Sequence, residues 1–296
     1  MVKQEKIPEV SSVVLRPTSI EEAWELKKEI GTHAMFISGG TLLQMKREQG
    51  TALHPYLISL EKIDGMQEIQ LKQIDSEHFL VVGASVRLAD VRKHALIKQE
   101  WNILTHAVKE VAAPAVRNRA TIGGNVCYMV GDTIPALLAL AAKACWFDGN
   151  HLQIGEIELF LQQYQLNPSL ILTAIMLPSQ ILAENKINVY KKIGRREAFI
   201  PSLVTVSLNG SFTSEFRAEH IRIAVGGGTY LPKRLIDCEQ LLHGAVLTKE
   251  KIMSLYETII REYNPASDAF VSSEYRKMVA ANLIISELSS VFDGKV

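Results

Sequence analysis

The hydrophobic and polar positions of the chain fall into short blocks, and the period of each block predicts an element. "SVVLRP" at 12–17 is strand-like, and Thr18 and Ser19 behind it are N-cap residues for a helix running to about Ile30. Glu21 and Glu22 in the first turn suit the helix dipole, and Gly31 stops the helix. "HAMFI" at 33–37 reads as a short buried strand, Ser38–Gly40 as a tight loop, and Thr41–Glu48 as a second helix. Strand-sized apolar pieces follow at 56–60, 66–71 and 78–85, then helical patterns at 87–97 and 99–110. A small sheet with helices against it is predicted for this half.

Residues 134–142 form a strongly apolar helix, "ACWFDGNHLQI" a hairpin turning at Asp148-Gly149-Asn150, and "SLILTAIMLP" a strand ended by Pro178. The polar stretch "PSQILAENK" marks a boundary near 180. Beyond it, 187–193, 202–212 and 220–228 predict a meander of three strands. Helices follow at about 234–242, 248–262 and 273–291. Strands grouped before helices give an α+β domain.

Composition narrows the function classes. The 296 residues are enough for two domains, each with its own core. At 47% hydrophobic and 22% charged the chain is an ordinary folded protein, not a disordered one. The 32 basic and 32 acidic residues cancel, which removes the broad attraction that nucleic acid or an anionic membrane would need. The opening "MVKQEKIPEVSS" lacks a signal-peptide apolar core, and residues 134–142 are too few to span a bilayer, so a cytoplasmic protein is expected. Cys127, Cys145 and Cys238 are odd in number and widely spaced, and the histidines have no ligand spacing, so no disulfide framework, iron-sulfur motif or metal site is expected.

Two glycine pairs carry the candidate chemistry: "FISGGTLLQMKR" at 36–47 and "RNRATIGGNV" at 117–126. A glycine permits positive φ and direct backbone approach, and free amides at a helix start attract an anion. No G-x-G-x-x-G and no G-x-x-x-x-G-K-[ST] is present, which disfavours a Rossmann site and a P-loop. Two short loops, one ending in Thr41 and the other in Asn125, could hold a pyrophosphate between them. Either taken alone reads first as a plain turn. Arg117 and Arg119 either neutralise phosphate or bond loop carbonyls, the second reading being favoured for Arg119. Gly226–Gly228 read as a tightly packed turn.

Together with "VAAPAVRNRATIGGNV", "DTIPALLALAAKA", "YKKIGRREA" and "IRIAVGGGTYLPKRLIDCEQLLHG", and in this order, these segments resemble the FAD-binding medium subunits of molybdenum-containing hydroxylases, the group of xanthine dehydrogenase and carbon monoxide dehydrogenase. The resemblance covers about residues 10–290. It implies an α+β chain with a vanillyl-alcohol-oxidase-type (PCMH-type) FAD-binding domain of two subdomains over 8–180. A smaller α+β C-terminal flavoprotein domain, a three-stranded sheet plus helices, would cover 186–292.

FAD is the implied cofactor. Phe36, Ile37, Ser38, Gly39, Gly40, Thr41, Leu42 and Leu43, with Thr121, Ile122, Gly123, Gly124 and Asn125, would flank its pyrophosphate. Asp132 matches the family's acidic residue, which accepts from cofactor hydroxyls; as a residue it reads equally well as an N-cap for the next helix. The link "NVCYMVGD" before it is shorter than the family's usual one and lacks its proline. Lys191 matches the lysine beside the flavin ring, with Lys192 the fallback. Val111 and Leu172 match contact positions and, being apolar, also fit a core.

The implied activity is electron transfer through FAD in an oxidoreductase, xanthine dehydrogenase in the first instance, with no catalytic acid or base from this chain. A 2Fe-2S subunit and a molybdopterin-binding large subunit are the implied partners, and NAD the possible acceptor. A self-contained flavin reductase of related fold and a cofactor-free interaction subunit are the competing readings.

Overall fold

The computed structural model describes residues 12–180, 185–194 and 202–291. In chain order the first half runs β1 (Val13–Leu15), α1 (Ile20–Ile30), β2 (Ala34–Ile37), α2 (Thr41–Glu48), β3 (Tyr56–Ser59), β4 (Ile69–Ile74), β5 (Glu77–Gly83), α3 (Leu88–Lys93), α4 (Ala95–Glu100), α5 (Asn102–Glu110), α6 (Pro114–Arg117), α7 (Ile122–Cys127) and α8 (Ile134–Ala139). It closes with β6 (Lys143–Phe147), β7 (Leu152–Glu156), α9 (Ile157–Leu166) and β8 (Ile171–Pro178). The second half comprises β9 (Asn185–Gly194), β10 (Ser202–Phe212), β11 (Ala218–Gly227), β12 (Tyr230–Arg234), α10 (Ile236–Leu242), α11 (Lys249–Glu262) and α12 (Ser273–Ser290).

The strands form three sheets. β1, β3 and β2 pair in parallel in that order, so each connection needs a crossover, which α1 and α2 supply. As predicted, Ser19 caps α1, its hydroxyl accepting from the Glu22 amide, and Gly31 ends the helix at φ +66°. The second sheet is antiparallel, ordered β4-β5-β8-β6-β7, with β8 buried along nearly its whole length. The strand expected at 66–71 lies instead at 69–74. Its register is set by a two-residue turn in which Asp75 and Ser76 both take positive φ, a geometry that asparagine-glycine would have announced.

The C-terminal sheet has four strands, β12-β11-β10-β9, where three were expected. The missed strand, β12, contains Pro232, which argues against a strand in sequence but is tolerated at an edge. On one face of this sheet, Ile187, Val206, Leu208, Ile223 and Val225 pack under α10, α11 and α12. The opposite face carries Thr205, Ser207 and Asn209, and it too is buried, because it lies against α8 and α5 of the first half. The strand alternation therefore reports two buried faces of different chemistry.

Candidate functional site: a glycine-lined cradle at the domain junction

The two glycine segments are neighbours in the folded chain. The turn between β5 and α3, Ala84–Arg87, links them: Ser85 and Ser38 join hydroxyl to hydroxyl at 3.2 Å, while the Ile122 and Gly123 amides donate to the carbonyls of Val86 and Ala84. The glycines divide into two kinds. A Cβ on Gly39 would lie 2.0 Å from the Arg119 carbonyl oxygen, and one on Gly123 2.7 Å from Ala84. Those two let the protein pack against itself. A Cβ on Gly40 would meet nothing within 4 Å, and one on Gly124 only the Thr121 hydroxyl at 3.0 Å. Those two border open space.

The donors are unevenly shared between the segments. The amides of Gly39, Gly40 and Thr41 have no acceptor among the described residues, and Gly40, at φ +69°, aims them from the start of α2. This is the geometry of an anion nest. The second segment is not the open loop expected from its glycines. Residues 122–127 form a helical turn capped by Thr121, whose hydroxyl accepts from the Gly124 amide, so the amides of Ile122, Gly123 and Gly124 are already engaged. Its contribution is shape, plus Asn125.

The Asn125 side-chain oxygen accepts from both the amide (3.1 Å) and the hydroxyl (2.6 Å) of Thr133, which leaves the Asn125 amide nitrogen as the donor turned elsewhere. Gly131 makes room for this side chain, since a Cβ there would fall 2.3 Å from the same oxygen. The short link 126–131 therefore closes around Asn125 and places Asp132 firmly.

Asp132 does not cap α8, whose N-cap is Thr133 without a side-chain bond. Its carboxylate accepts from Lys192 Nζ at 2.8 Å, and Lys192 also donates to the Glu110 carbonyl at 2.8 Å. Tyr190 donates its hydroxyl to the Asp132 carbonyl at 2.9 Å. Burial, with the Asp132 and Glu110 charges adding to it, holds the Tyr190 phenol well above its ordinary range, so it stays a neutral donor. Two side chains of β9 thus grip one residue of the first half. Lys191, one position away, points to the other sheet face and pairs with Glu287 of α12 at 3.0 Å. Strand alternation sends only one of the two lysines to Asp132.

The remaining expected positions divide by burial. Ile122, Val111 and Leu172 are core residues, and Thr121 is buried as well. Phe36, Ile37, Ser38, Thr41, Leu42 and Leu43 are half-buried, and no residue of α2 is fully buried. The structural arginine is Arg117 rather than Arg119. Its buried guanidinium donates to the carbonyls of Val111, at 2.7 Å, and Ala112, fixing the Ala112 backbone at φ +41°. Arg119 is exposed and contributes the carbonyl that meets Gly39. Gly228, in the triple glycine, lies against the Arg276 guanidinium, which accounts for that turn by packing. Sequence reasoning missed Tyr190 and Ser85; the β9 alternation Tyr190, Lys192 was the available signal for the first, and nothing local marked the second.

A parallel and an antiparallel sheet meeting beside an amide nest, followed by a sheet-and-helix domain, form an arrangement suited to holding an anionic group. Residues 8–180 match the family described as the FAD binding domain in molybdopterin dehydrogenase, and residues 188–291 match the CO dehydrogenase flavoprotein C-terminal domain. The chain belongs to that family, and FAD is its cofactor.

It is 24% identical over 284 residues to the carbon monoxide dehydrogenase medium chain of Hydrogenophaga pseudoflava, covering 93% of this chain and 95% of that one. The nicotine 6-hydroxylase medium subunit of Paenarthrobacter nicotinovorans is 27% identical, with coverage of 90% and 93%. The xanthine dehydrogenase FAD-binding subunit of Escherichia coli O157:H7 is 22% identical, with coverage of 89% and 91%. A solved carbon monoxide dehydrogenase from Hydrogenophaga pseudoflava superposes with a TM-score of 0.83 at 22% identity, over 95% of this chain and 97% of that one, and so shares the fold.

The cradle fits the cofactor on its own geometry: free amides beside two glycines that face open space, where added Cβ atoms would occupy the ligand's volume. Among the described residues no group of three histidine, cysteine, aspartate or glutamate side chains is placed to hold a metal, and no helix is long and apolar enough to cross a membrane.

Proposed function

We propose that this chain is the electron-transfer subunit of a molybdenum hydroxylase assembly, an oxidoreductase that works only with partner chains. The observation that carries the reading is the open cradle at Gly40 and Gly124 beside the unengaged amides of Gly39, Gly40 and Thr41. In the proposed arrangement Phe36–Leu43 and Thr121–Asn125 hold the diphosphate bridge, the nest supplying amides and Asn125 its side-chain nitrogen. Asp132 keeps its second carboxylate oxygen for a cofactor hydroxyl. Lys192 is the lysine on the cofactor side, and its ammonium favours negative charge nearby; Lys191 belongs to the helical face. Bound FAD supplies the redox chemistry, while the chain binds it, orients it and sets the surrounding charge.

The partners are inferred to be a 2Fe-2S subunit and a molybdopterin-binding large subunit, since relatives bear the names of medium chains. Xanthine is proposed as the assembly's substrate and NAD as its acceptor. Relatives named for carbon monoxide, nicotine and xanthine share this architecture, so the substrate is chosen outside this chain. The decisive site experiment is Gly124→Val, with folding followed by circular dichroism and flavin by absorbance after acid release. A folded, colourless variant is expected. A folded variant with undiminished FAD removes the placement. Co-purification from the native host tests the partners, and purine turnover by the reassembled complex tests the substrate.

A further inference from the structure

Away from the cradle, a second cleft of about 390 Å³ opens where the polar face of the C-terminal sheet meets α4, the start of α5 and the end of α8. Its floor is a row of side chains directly opposite one another on three strands, Asn188, Asn209 and Arg222, with Lys186 beside them across from Ser211. Asn188 lies four residues along β9 from Lys192, about 13 Å at strand spacing. The cleft is therefore separate from the lysine that grips Asp132.

Arg222 is held here without a partner: its guanidinium makes no hydrogen bond or ion pair among the described residues. The neighbouring carboxylates are taken by Arg234, which donates twice to Glu239 and sits 3.9 Å from Glu158. Burial, and Arg234 after it, pull the Arg222 guanidinium below its ordinary range, against the opposing pull of the Glu239, Glu156 and Glu158 charges, none of which bonds to it. Lys186 likewise has no bonded partner among the described residues.

The backbone is bent at the same place. β11 carries one extra residue opposite Gly210, and His220 takes φ +53° in the bulge. A Cβ at 210 would fall 2.8 Å from Ile221 Cα, so Gly210 is what lets the bulge form. Bulges re-aim side chains, and a left-handed non-glycine residue inside a strand is strain that the surroundings must sustain. Here the result is that His220 joins Lys186 and Arg222 in lining the cleft, with Glu100 the acid among its lining residues.

We propose that this interdomain cleft binds a small carboxylate- or phosphate-bearing anion, its oxygens received by Arg222, Lys186 and His220. The volume is within the range of small-ligand sites, and the fork of Arg222 matches either oxyanion.

The test uses the FAD-loaded chain and isothermal titration calorimetry with two probes, pyrophosphate and citrate, while flavin absorbance is monitored. Saturable binding of at least one probe with flavin retained is expected, and the preferred probe tells phosphate from carboxylate. Arg222→Ala is expected to weaken that binding at least tenfold. His220→Gly, which suits the φ at that position and should keep the Tm, is expected to weaken it as well. Absence of saturable binding by both probes, binding unchanged in both variants, or binding that releases the flavin would each overturn the proposal.

Discussion

Gly39 and Gly124 are the same residue for opposite reasons, and substitution separates them. Alanine at 39 would drive a methyl into the Arg119 carbonyl, so the contact between the two glycine segments must open. Gly39→Ala is expected to cost about 2 kcal/mol, the scale of overpacking, and to lose flavin with stability, as urea denaturation and absorbance would show. Gly124→Val should lose flavin while the fold persists. Asp132 gives a third residue-scale expectation. Its removal strands Lys192, whose side chain is only 7% exposed, with a lone carbonyl for a partner. Asp132→Ala should therefore cost about 3 kcal/mol, and Asp132→Ala with Lys192→Met should recover much of it, because the penalty comes from the uncompensated buried charge.

At the scale of elements, α7 shows a helix overriding propensity. Two glycines disfavour it by about 1 kcal/mol each relative to alanine, yet the turn forms because Thr121 caps it and Gly123 packs on Ala84. Thr121→Ala should cost about 1 kcal/mol of stability by thermal or denaturant unfolding, and it frees the Gly124 amide. The elements legible in the sequence were those with their own signals: α1 with Ser19 and Gly31, α2 after its glycine turn, α11 capped by Thr248, and α12 capped by Ser272. Those that escaped lacked one. β12 holds a proline, and α9 follows Glu156 with no side-chain cap; β4 was legible as a strand, but its bounds shifted because an aspartate-serine turn registers it.

For the whole molecule, the C-terminal domain is fastened through a polar sheet face. Thr205, Ser207 and Asn209 are buried there, while Tyr190 and Lys192 reach across to Asp132. Tyr190→Phe is expected to lower stability by about 1 kcal/mol, the net value of one hydrogen bond, without loss of secondary structure in circular dichroism. The proposed function has its own expectation at this scale. The isolated chain should be yellow yet oxidise no purine or aldehyde, and activity should appear only on addition of iron-sulfur and molybdopterin subunits. Turnover of xanthine by the chain alone would contradict it.

The sequence by itself determined the two-part α+β plan, most helices and strands, and the two glycine segments, because local periodicity, caps and missing Cβ atoms act over a few residues. Tertiary structure decided which glycines border open space and which face Arg119 and Ala84. It also decided that Arg117 is the buried arginine and that Lys192, not Lys191, meets Asp132. Those outcomes depend on which chain segments, distant in sequence, come to lie against each position, and no local pattern encodes the neighbour.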